Sequence, residues 1–387
     1  MIEIISCSSY RELNKSITNF DTNSPFLNLK FFEALEKSKS IGEDTGWISF
    51  PIIAKKNNEI IGFIPLFLKE HSYGEYVFDY AWADAFHRNG LNYYPKMISA
   101  IPFTPLTGSR VLAKTIEVKK AMIKSIEKIL VKHKISSCHI LFPDKKDHDL
   151  FKEMGWLSRN GVQFKWQNNS YKTFNEFLET LSHNKRKKIK QERKKIEINK
   201  IIIEQKQGTD ITDKDIDFFY ECYCETYRLH NSIPYLNRAF FYELIKSIPN
   251  KLLLILAKKD NVKIASAFNI IGKDTLYGRY WGALEFFSGL HFELCYYQGQ
   301  EFCIENKIKY FEGGAQGEHK LARGFEPFKT YSNHFIAQPD FRDAINIFLN
   351  DEINRIDEYS NELEERTPYK KIIYVLYLQQ KIINHLR

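Results

Sequence analysis

The sequence predicts a mixed α/β fold, an α+β arrangement with a mixed sheet, in two tandem duplicated domains. Strand-like apolar runs alternate with helical stretches through both halves of the chain, the pattern of a mixed sheet covered by helices. One stretch recurs: AKKNNEIIGFI from Ala54 reappears as AKKDNVKIASA from Ala257. A separation of about 200 residues is too long for a solenoid and implies a duplicated domain. At 387 residues the chain also exceeds one typical domain.

The elements follow in order. The first 46 residues read as helical and turn segments around FLNLKFFEALEKS. ISFPIIAKKNNEIIGFIPLFLK then places two apolar runs around Asn57-Asn58, a hairpin signature. An aromatic strand is expected over Tyr76 to Trp82, a helix from Asn92, a strongly amphipathic helix over Thr115 to His133, and a strand at SSCHILF. The second half predicts a helix over Thr173 to Glu197, the strand KIIIEQ and a helix over Ile216 to His230. A hairpin at LLLILAKKDNVKIASAFNII, the strand TLYGRYWGA, a helix over His291 to Asn306 and the strand IKYFEGG come next. Two C-terminal helices close the chain, one after Phe341 and one after Pro368. A second repeat sets AWADAFHRNGL against YWGALEFFSGL, with Trp82 opposite Trp281 and Gly90 opposite Gly289. The boundary is expected at Gln167 to Tyr171, giving domains 1–168 and 169–387.

Hydrophobic residues at 43% suffice for packed cores, and 27% charged residues exclude a disordered chain. The six Cys show no C-x-x-C spacing and lie mostly in apolar surroundings, as buried free thiols of a reducing compartment do. No charged leader with a long apolar run and no bilayer-length apolar stretch is visible, so the expected location is the cytoplasm, with no integral membrane association and no metal.

Several long strings resemble a bacterial family of N-acyltransferases related to the FemAB proteins: HSYGEYVFDYAWADAF at His71, NYYPKM at Asn92, PFTPLTGSR at Pro102, NKRKKIKQERKK at Asn184, LYGRYWGA at Leu276, LHFELCYYQ at Leu290 and FEGGAQGEHKLARGF at Phe311. The element order also resembles the GNAT acyltransferase fold. The resemblance implies tandem GNAT-like domains, and transfer of an acyl or aminoacyl group from acyl-CoA or aminoacyl-tRNA to an amine acceptor such as a cell-wall precursor. GNAT enzymes hold the CoA pyrophosphate through R-x-x-G-x-G/A. Here Arg279-Tyr280-Trp281-Gly282-Ala283-Leu284 supplies the Arg and the first Gly but ends in Leu.

N-acyl transfer needs a group that takes a proton from the amine and a donor that faces the developing oxyanion; no covalent nucleophile is required. FEGGAQGEHKLARGF is the densest constellation. Glu312 ends an apolar strand, three glycines follow, and Gln316, Glu318, His319, Lys320 and Arg323 come within two turns. Glu312 or His319 is the expected base, Gln316 an oxyanion contact, and Lys320 and Arg323 contacts for a phosphate or carboxylate. The bland alternative is a glycine turn with solvated charges. Arg279 and Trp281 are expected to share one strand face with Tyr277 and to contact substrate, with a structural salt bridge of Arg279 as the equally weighted alternative. Trp82 and Asp84, beside an aromatic stripe, are assigned to acceptor binding in the first half. The stretch His183 to Lys195 holds eight Lys or Arg and one Glu. It is either a solvated face or an anion site in which Lys185, Arg186 and Lys188 meet CoA phosphates or the tRNA backbone. The competing function is a non-catalytic module of the same fold that binds RNA or an anionic metabolite through this helix.

Overall fold

The computed structural model describes residues 2–13, 20, 24–314 and 317–370. The chain forms two compact units. The first contains the chain up to Val162, together with Tyr235–Ile248 and Lys329–Glu358. The second contains Gln163–Pro234, Pro249–Phe328 and the described chain from Tyr359. Both units therefore take discontinuous segments, where the sequence reading drew one boundary at Gln167 to Tyr171.

The first unit runs through β1 (Glu3–Ser6), α1 (Leu29–Lys37), β2 (Trp47–Ser49), β3 (Ile52–Lys56), β4 (Glu59–Ile64), β5 (Phe67–Lys69) and α2 (Tyr80–Arg88). It continues with β6 (Lys96–Ser99), β7 (Leu112–Ala113), α3 (Ile116–His133), β8 (Ser137–Leu141), α4 (Lys145–Glu153) and β9 (Leu157–Gln167), which enters the second unit after Val162. Pro51 and Pro65 interrupt the expected long hairpin. β3 and β4 join a sheet of order β1-β3-β4-β7, while β2 and β5 pair beside β6 and β8. A proline offers no N–H to a ladder, so both strands change sheet there. Thr115 caps α3 by accepting from the Val118 amide. Its Val118, Met122, Ile123, Ile126 and Leu130 pack on Ile52, Ala54, Ile61 and Ile64.

The second unit adds α5 (Phe174–Thr180), α6 (His183–Ile198), β10 (Ile202–Gln207) and α7 (Asp213–Leu229); α8 (Arg238–Ser247) belongs to the first. Next come β11 (Leu252–Lys259), β12 (Val262–Ile271) and β13 (Thr275–Ala283). α9 (Leu290–Phe292) runs through a π turn (Glu293–Tyr297) into α10 (Gln298–Glu305), and β14 (Tyr310–Glu312) follows. β15 (Glu326–Ile336) and α11 (Pro339–Glu365) complete the described chain. Within this unit the strand order is β10-β11-β12-β13-β14-β9.

The duplication is visible in register. In the first hairpin Ala54 pairs with Gly62, then Lys55 with Ile60 and Lys56 with Glu59, with a bulge after Ala54. In the second, Ala257 pairs with Ala265, then Lys258 with Lys263 and Lys259 with Val262, with a bulge after Ala257. Both turns hold two consecutive residues at positive φ, Asn57-Asn58 and Asp260-Asn261, the requirement of a two-residue hairpin turn. β6 runs parallel to β8 as β13 runs parallel to β14.

Four expectations change. Tyr76 to Trp82 is not a strand: α2 begins at Tyr80, so Phe78 and Tyr80 stay exposed while Trp82 is buried. The second repeat fails with it, because AWADAFHRNGL is helical whereas Tyr280 to Ala283 lies in β13. The helix expected from Asn92 is instead the buried strand β6, flanked by Pro95. The helix over Thr173 to Glu197 is broken at Leu181-Ser182, and the Ser182 carbonyl accepts from the Arg186 amide at 3.0 Å as α6 begins. The helix after Pro368 falls almost entirely outside the described residues.

Candidate active site

β14 is held on both sides: Glu312 lies opposite Tyr277 of β13 in parallel register and opposite Lys165 of β9 in antiparallel register. The β13–β14 ladder ends at that pair, while β13 stays paired with β12 through Ala283. Glu312 therefore stands where the two strands part company, the kind of place where open α/β sheets receive ligands.

Glu312 is 9% exposed, and its Oε2 meets no hydrogen-bond partner in the protein. Burial raises its pKa from 4.5 to about 7, with the Lys165 and Arg279 charges opposing that shift. A carboxyl group poised near neutrality can exist as a base and accept a proton at physiological pH. Lys165 is itself held over the Tyr310 and Phe328 rings, at 4.4 and 4.9 Å.

Arg279 is the extra residue of a β-bulge in β13, since Phe268 pairs with Tyr280 and Asn269 with Gly278. The bulge resets the alternation, so the expected common face with Tyr277 does not carry through. Tyr280 packs on Tyr223 of α7 at 5.2 Å. Trp281 instead meets His291 of α9 at 4.6 Å. His291, Phe292, Tyr296 and His319 extend this aromatic group, and Tyr296 Oη shares a 2.8 Å hydrogen bond with His319 Nε2. Burial, then His319, Arg323 and Lys320, lower His291 to about 4. Burial, then Lys320 and Arg323, lower His319. Both rings are neutral at pH 7, and His319 is the more exposed of the two.

The loop after β14 needs glycine at Gly317, where φ is 114° and an added Cβ would lie 2.2 Å from the His319 ring. Lys320 and Arg323 turn inward. Lys320 is buried and donates to the Gly314 carbonyl at 2.6 Å, and burial lowers it to about 8. Arg323 donates to the His319 carbonyl and to Glu192 of α6, both at 2.7 Å, and lies 3.4 Å from the Phe292 ring centre. Both side chains are spent on closing the loop, which sequence spacing cannot distinguish from a ligand role. Gln316 lies outside the described residues.

α6 is fixed by its acidic and apolar residues. Ile189, Glu192 and Ile196 are buried, and Glu192 also accepts from Tyr297. Arg193 binds Glu293 and Glu301, at 3.0 and 2.6 Å. Lys185, Arg186 and Lys188 form no ion pair among the described residues; Lys188 is exposed and the other two are half-buried. The two residues assigned to acceptor binding lie in the first unit. Trp82 packs at 5.0 Å from His334 and 6.0 Å from His139. Asp84 is an exposed partner of Arg88.

Sequence reasoning missed a buried polar cluster in that unit. Lys69, Lys96, Glu75, Asp79, His139 and His334 are all buried. Lys96 contacts Glu75 at 2.8 Å and also Asp79, which accepts from Tyr93 at 2.6 Å. Burial lowers Lys69 and raises Glu75, both to about 7. Burial is the largest influence on Lys96 and Asp79 too, but Glu75 and Asp79 together outweigh it and raise Lys96, while Lys96 with the Ser72 and Tyr93 hydroxyls outweighs it and lowers Asp79. The one available signal was lysine inside apolar strands, as in FLK and KMIS.

Two α/β units that each carry the same bulged hairpin define a tandem GNAT-like protein. Residues 2–371 match the FemAB-like family, described as peptidoglycan biosynthesis/recognition, and the chain belongs to that family. The structure is similar to FemX, with a TM-score of 0.54 at 12% identity, covering 88% of this chain and 99% of that one. It is similar to L-PGS from Bacillus licheniformis, at 0.50 and 10%, covering 86% and 98%. It is also similar to a Bacteroides thetaiotaomicron protein of unknown function, at 0.50 and 13%, covering 86% and 99%. At these identities the likeness is one of fold. No curated protein sequence matches the chain. Among the described residues no helix is long and apolar enough to cross a membrane, and no cluster suits a metal ion.

Proposed function

We propose that this protein is an N-acyltransferase of peptidoglycan assembly that moves an aminoacyl or acyl group onto the amine of a cell-wall precursor in the cytoplasm. The observation that carries this reading is Glu312: a buried carboxyl group with an unmatched oxygen, poised near pH 7 at the end of a strand. The amine nitrogen attacks the donor carbonyl carbon, and a C–N bond forms as the ester C–O or thioester C–S bond breaks. Glu312 takes the proton that leaves nitrogen and returns it to the departing oxygen or sulfur. His319, neutral and hydrogen-bonded to Tyr296, is the alternative base. Arg279 and Trp281 flank the substrate. Holding donor and acceptor together supplies much of the remaining acceleration.

Of the two donors, aminoacyl-tRNA fits better. The string that resembles a pyrophosphate loop is used as strand: Gly282 pairs with Ser266, and Leu284 N donates to the Ile264 carbonyl at 2.8 Å. An added Cβ on Gly282 would stand 1.8 Å from the Cys222 carbonyl oxygen, so α7 closes over that backbone. These positions leave little free backbone to cradle a diphosphate. The unpaired Lys185, Arg186 and Lys188 offer a surface for an RNA backbone instead.

The test supplies charged tRNA or acyl-CoA mixtures with a soluble nucleotide-linked precursor and reads the product mass. Transfer from charged tRNA that falls about a hundredfold in Glu312→Gln, with normal folding, supports the reading. RNA binding with no transfer from either donor would favour the non-catalytic module.

A further inference from the structure

Lys165 stands directly across from Glu312 in antiparallel register, so both side chains leave the sheet on one face. Tyr310, two residues before Glu312 in β14, shares that face. A lysine opposite a glutamate ordinarily closes a cross-strand ion pair. These two form none among the described residues, and Glu312 Oε2 keeps no partner. The lysine turns instead onto two rings. Its Nζ lies 4.4 Å from the Tyr310 ring centre and 4.9 Å from that of Phe328 in β15. There it stays half-buried, whereas Glu312 is buried, and closing the pair would take the ammonium farther out of water. The other charges that bear on Glu312 come from β13 and the turn before it: Arg279 adds a second cation, weaker in effect than Lys165, and Asp274 acts against both. From α10 the Cys303 thiol donates to the Tyr310 carbonyl at 3.9 Å.

We propose that Lys165 is a positioning residue for Glu312: the Tyr310 and Phe328 rings hold its ammonium near the carboxyl group without letting it close a salt bridge, which leaves the Glu312 oxygen open to a reacting group. Near enough to favour the carboxylate, the cation offsets part of the burial that keeps the proton on Glu312. Held away by the rings, it does not spend the carboxylate in a pair. That Glu312 is the base rests on the transferase reading, whereas the placing of Lys165 does not.

The titration of Glu312 is followed without substrate, by carboxyl-carbon NMR of the full chain labelled at glutamate, with Glu312→Gln marking the resonance that disappears. Lys165→Met keeps a chain that packs on both rings but removes the charge, and should move the midpoint up by about one pH unit. Tyr310→Leu/Phe328→Leu frees the ammonium to reach Glu312 and should move the midpoint down by about one pH unit. Phe328→Leu alone, which leaves β14 unaltered, should give a smaller shift of the same sign. Opposite signs identify a held charge, because a general loosening of the fold would lessen burial and lower the midpoint in every variant. A midpoint that Lys165→Met leaves unmoved, or that both kinds of variant move in one direction, overturns the proposal. The pH profile of turnover should follow the same displacements. A shifted titration beside an unshifted turnover profile would uphold the placing of Lys165 and remove Glu312 as the base, so the two failures are told apart.

Discussion

Replacing Glu312 with Gln should change stability in a way that depends on pH, and the sign follows from the site. In the folded protein this carboxyl group titrates at about 7; in the unfolded chain it returns to 4.5. Between those values the folded state holds a proton that the unfolded state has lost. Stability attributable to Glu312 is therefore full below pH 4.5 and declines as pH rises through 7. At about 1.4 kcal/mol per pH unit, the difference is about 3 kcal/mol. Glu312→Gln cannot ionise, so its stability relative to the parent should rise by about 3 kcal/mol between pH 4.5 and 8. A constant cost of seating the amide cancels in that comparison. Urea titrations of both proteins at the two pH values provide the measurement. If the two pH profiles run parallel, the carboxylate is already satisfied in the fold, and Glu312 loses its claim as the base. If the profiles diverge as expected, the turnover of the parent should rise with pH through about 7.

Other perturbations address the remaining parts of the structure. Glu192→Gln leaves the Arg323 guanidinium without its buried partner and should cost about 3–5 kcal/mol in a denaturant titration. Gly282→Ala drives a methyl group into the Cys222 backbone of α7 and should destabilise by more than about 2 kcal/mol. Changing Lys185, Arg186 and Lys188 to Ala should lower the salt slope of tRNA binding by about 2 to 3 while leaving the melting temperature nearly unchanged; an unaltered slope would return α6 to the status of a solvated face. Lys96→Met strips Asp79 and Glu75 of their cation and should cost about 3–5 kcal/mol by thermal or chemical denaturation.

What could be read from the sequence was whatever had a period or a turn. The amphipathic stripe from Val118 to Leu130 repeats at helical spacing, and α3 lies where it was expected. Asn57-Asn58 and Asp260-Asn261 marked both hairpins because few residues accept two successive positive φ angles. The aromatic run before α2 was misread because Tyr, Phe and Trp favour strands, while the burial of Trp82 and Phe86, four residues apart on one face, goes with a helix. β6 was missed because KMIS is too short to show alternation and is buried throughout. In the site, Glu312 could be found from its place at the end of an apolar run. The inward turn of Lys320 and Arg323 could not, because Gly314 and Glu192 reach them only through the fold.

The two units meet the same problem, a charged group at the end of a buried strand, in opposite ways. At the end of β8 the Arg110 guanidinium donates to the carbonyls of Leu141, Gly108, Ser109 and Leu106. Asp147 nearby accepts from the Arg110 and Val111 amides, from Ser109 and from Lys119. Such matching fixes a structure, because each donor already has its acceptor. At the end of β14, by contrast, Glu312 keeps an unmatched oxygen, and the cations that bear on it, Lys165 and Arg279, do not restore its ordinary acidity. The Arg110 end of β8 is filled and the equivalent end of β14 is left open, although the first unit keeps unmatched carboxylate oxygens of its own in Glu75 Oε1 and Asp79 Oδ1. Buried charges that are paired, as Lys96 is with Asp79, resist change. A buried carboxyl group without a full complement of partners loses little by giving up or taking a proton, and that is the property a transfer reaction uses.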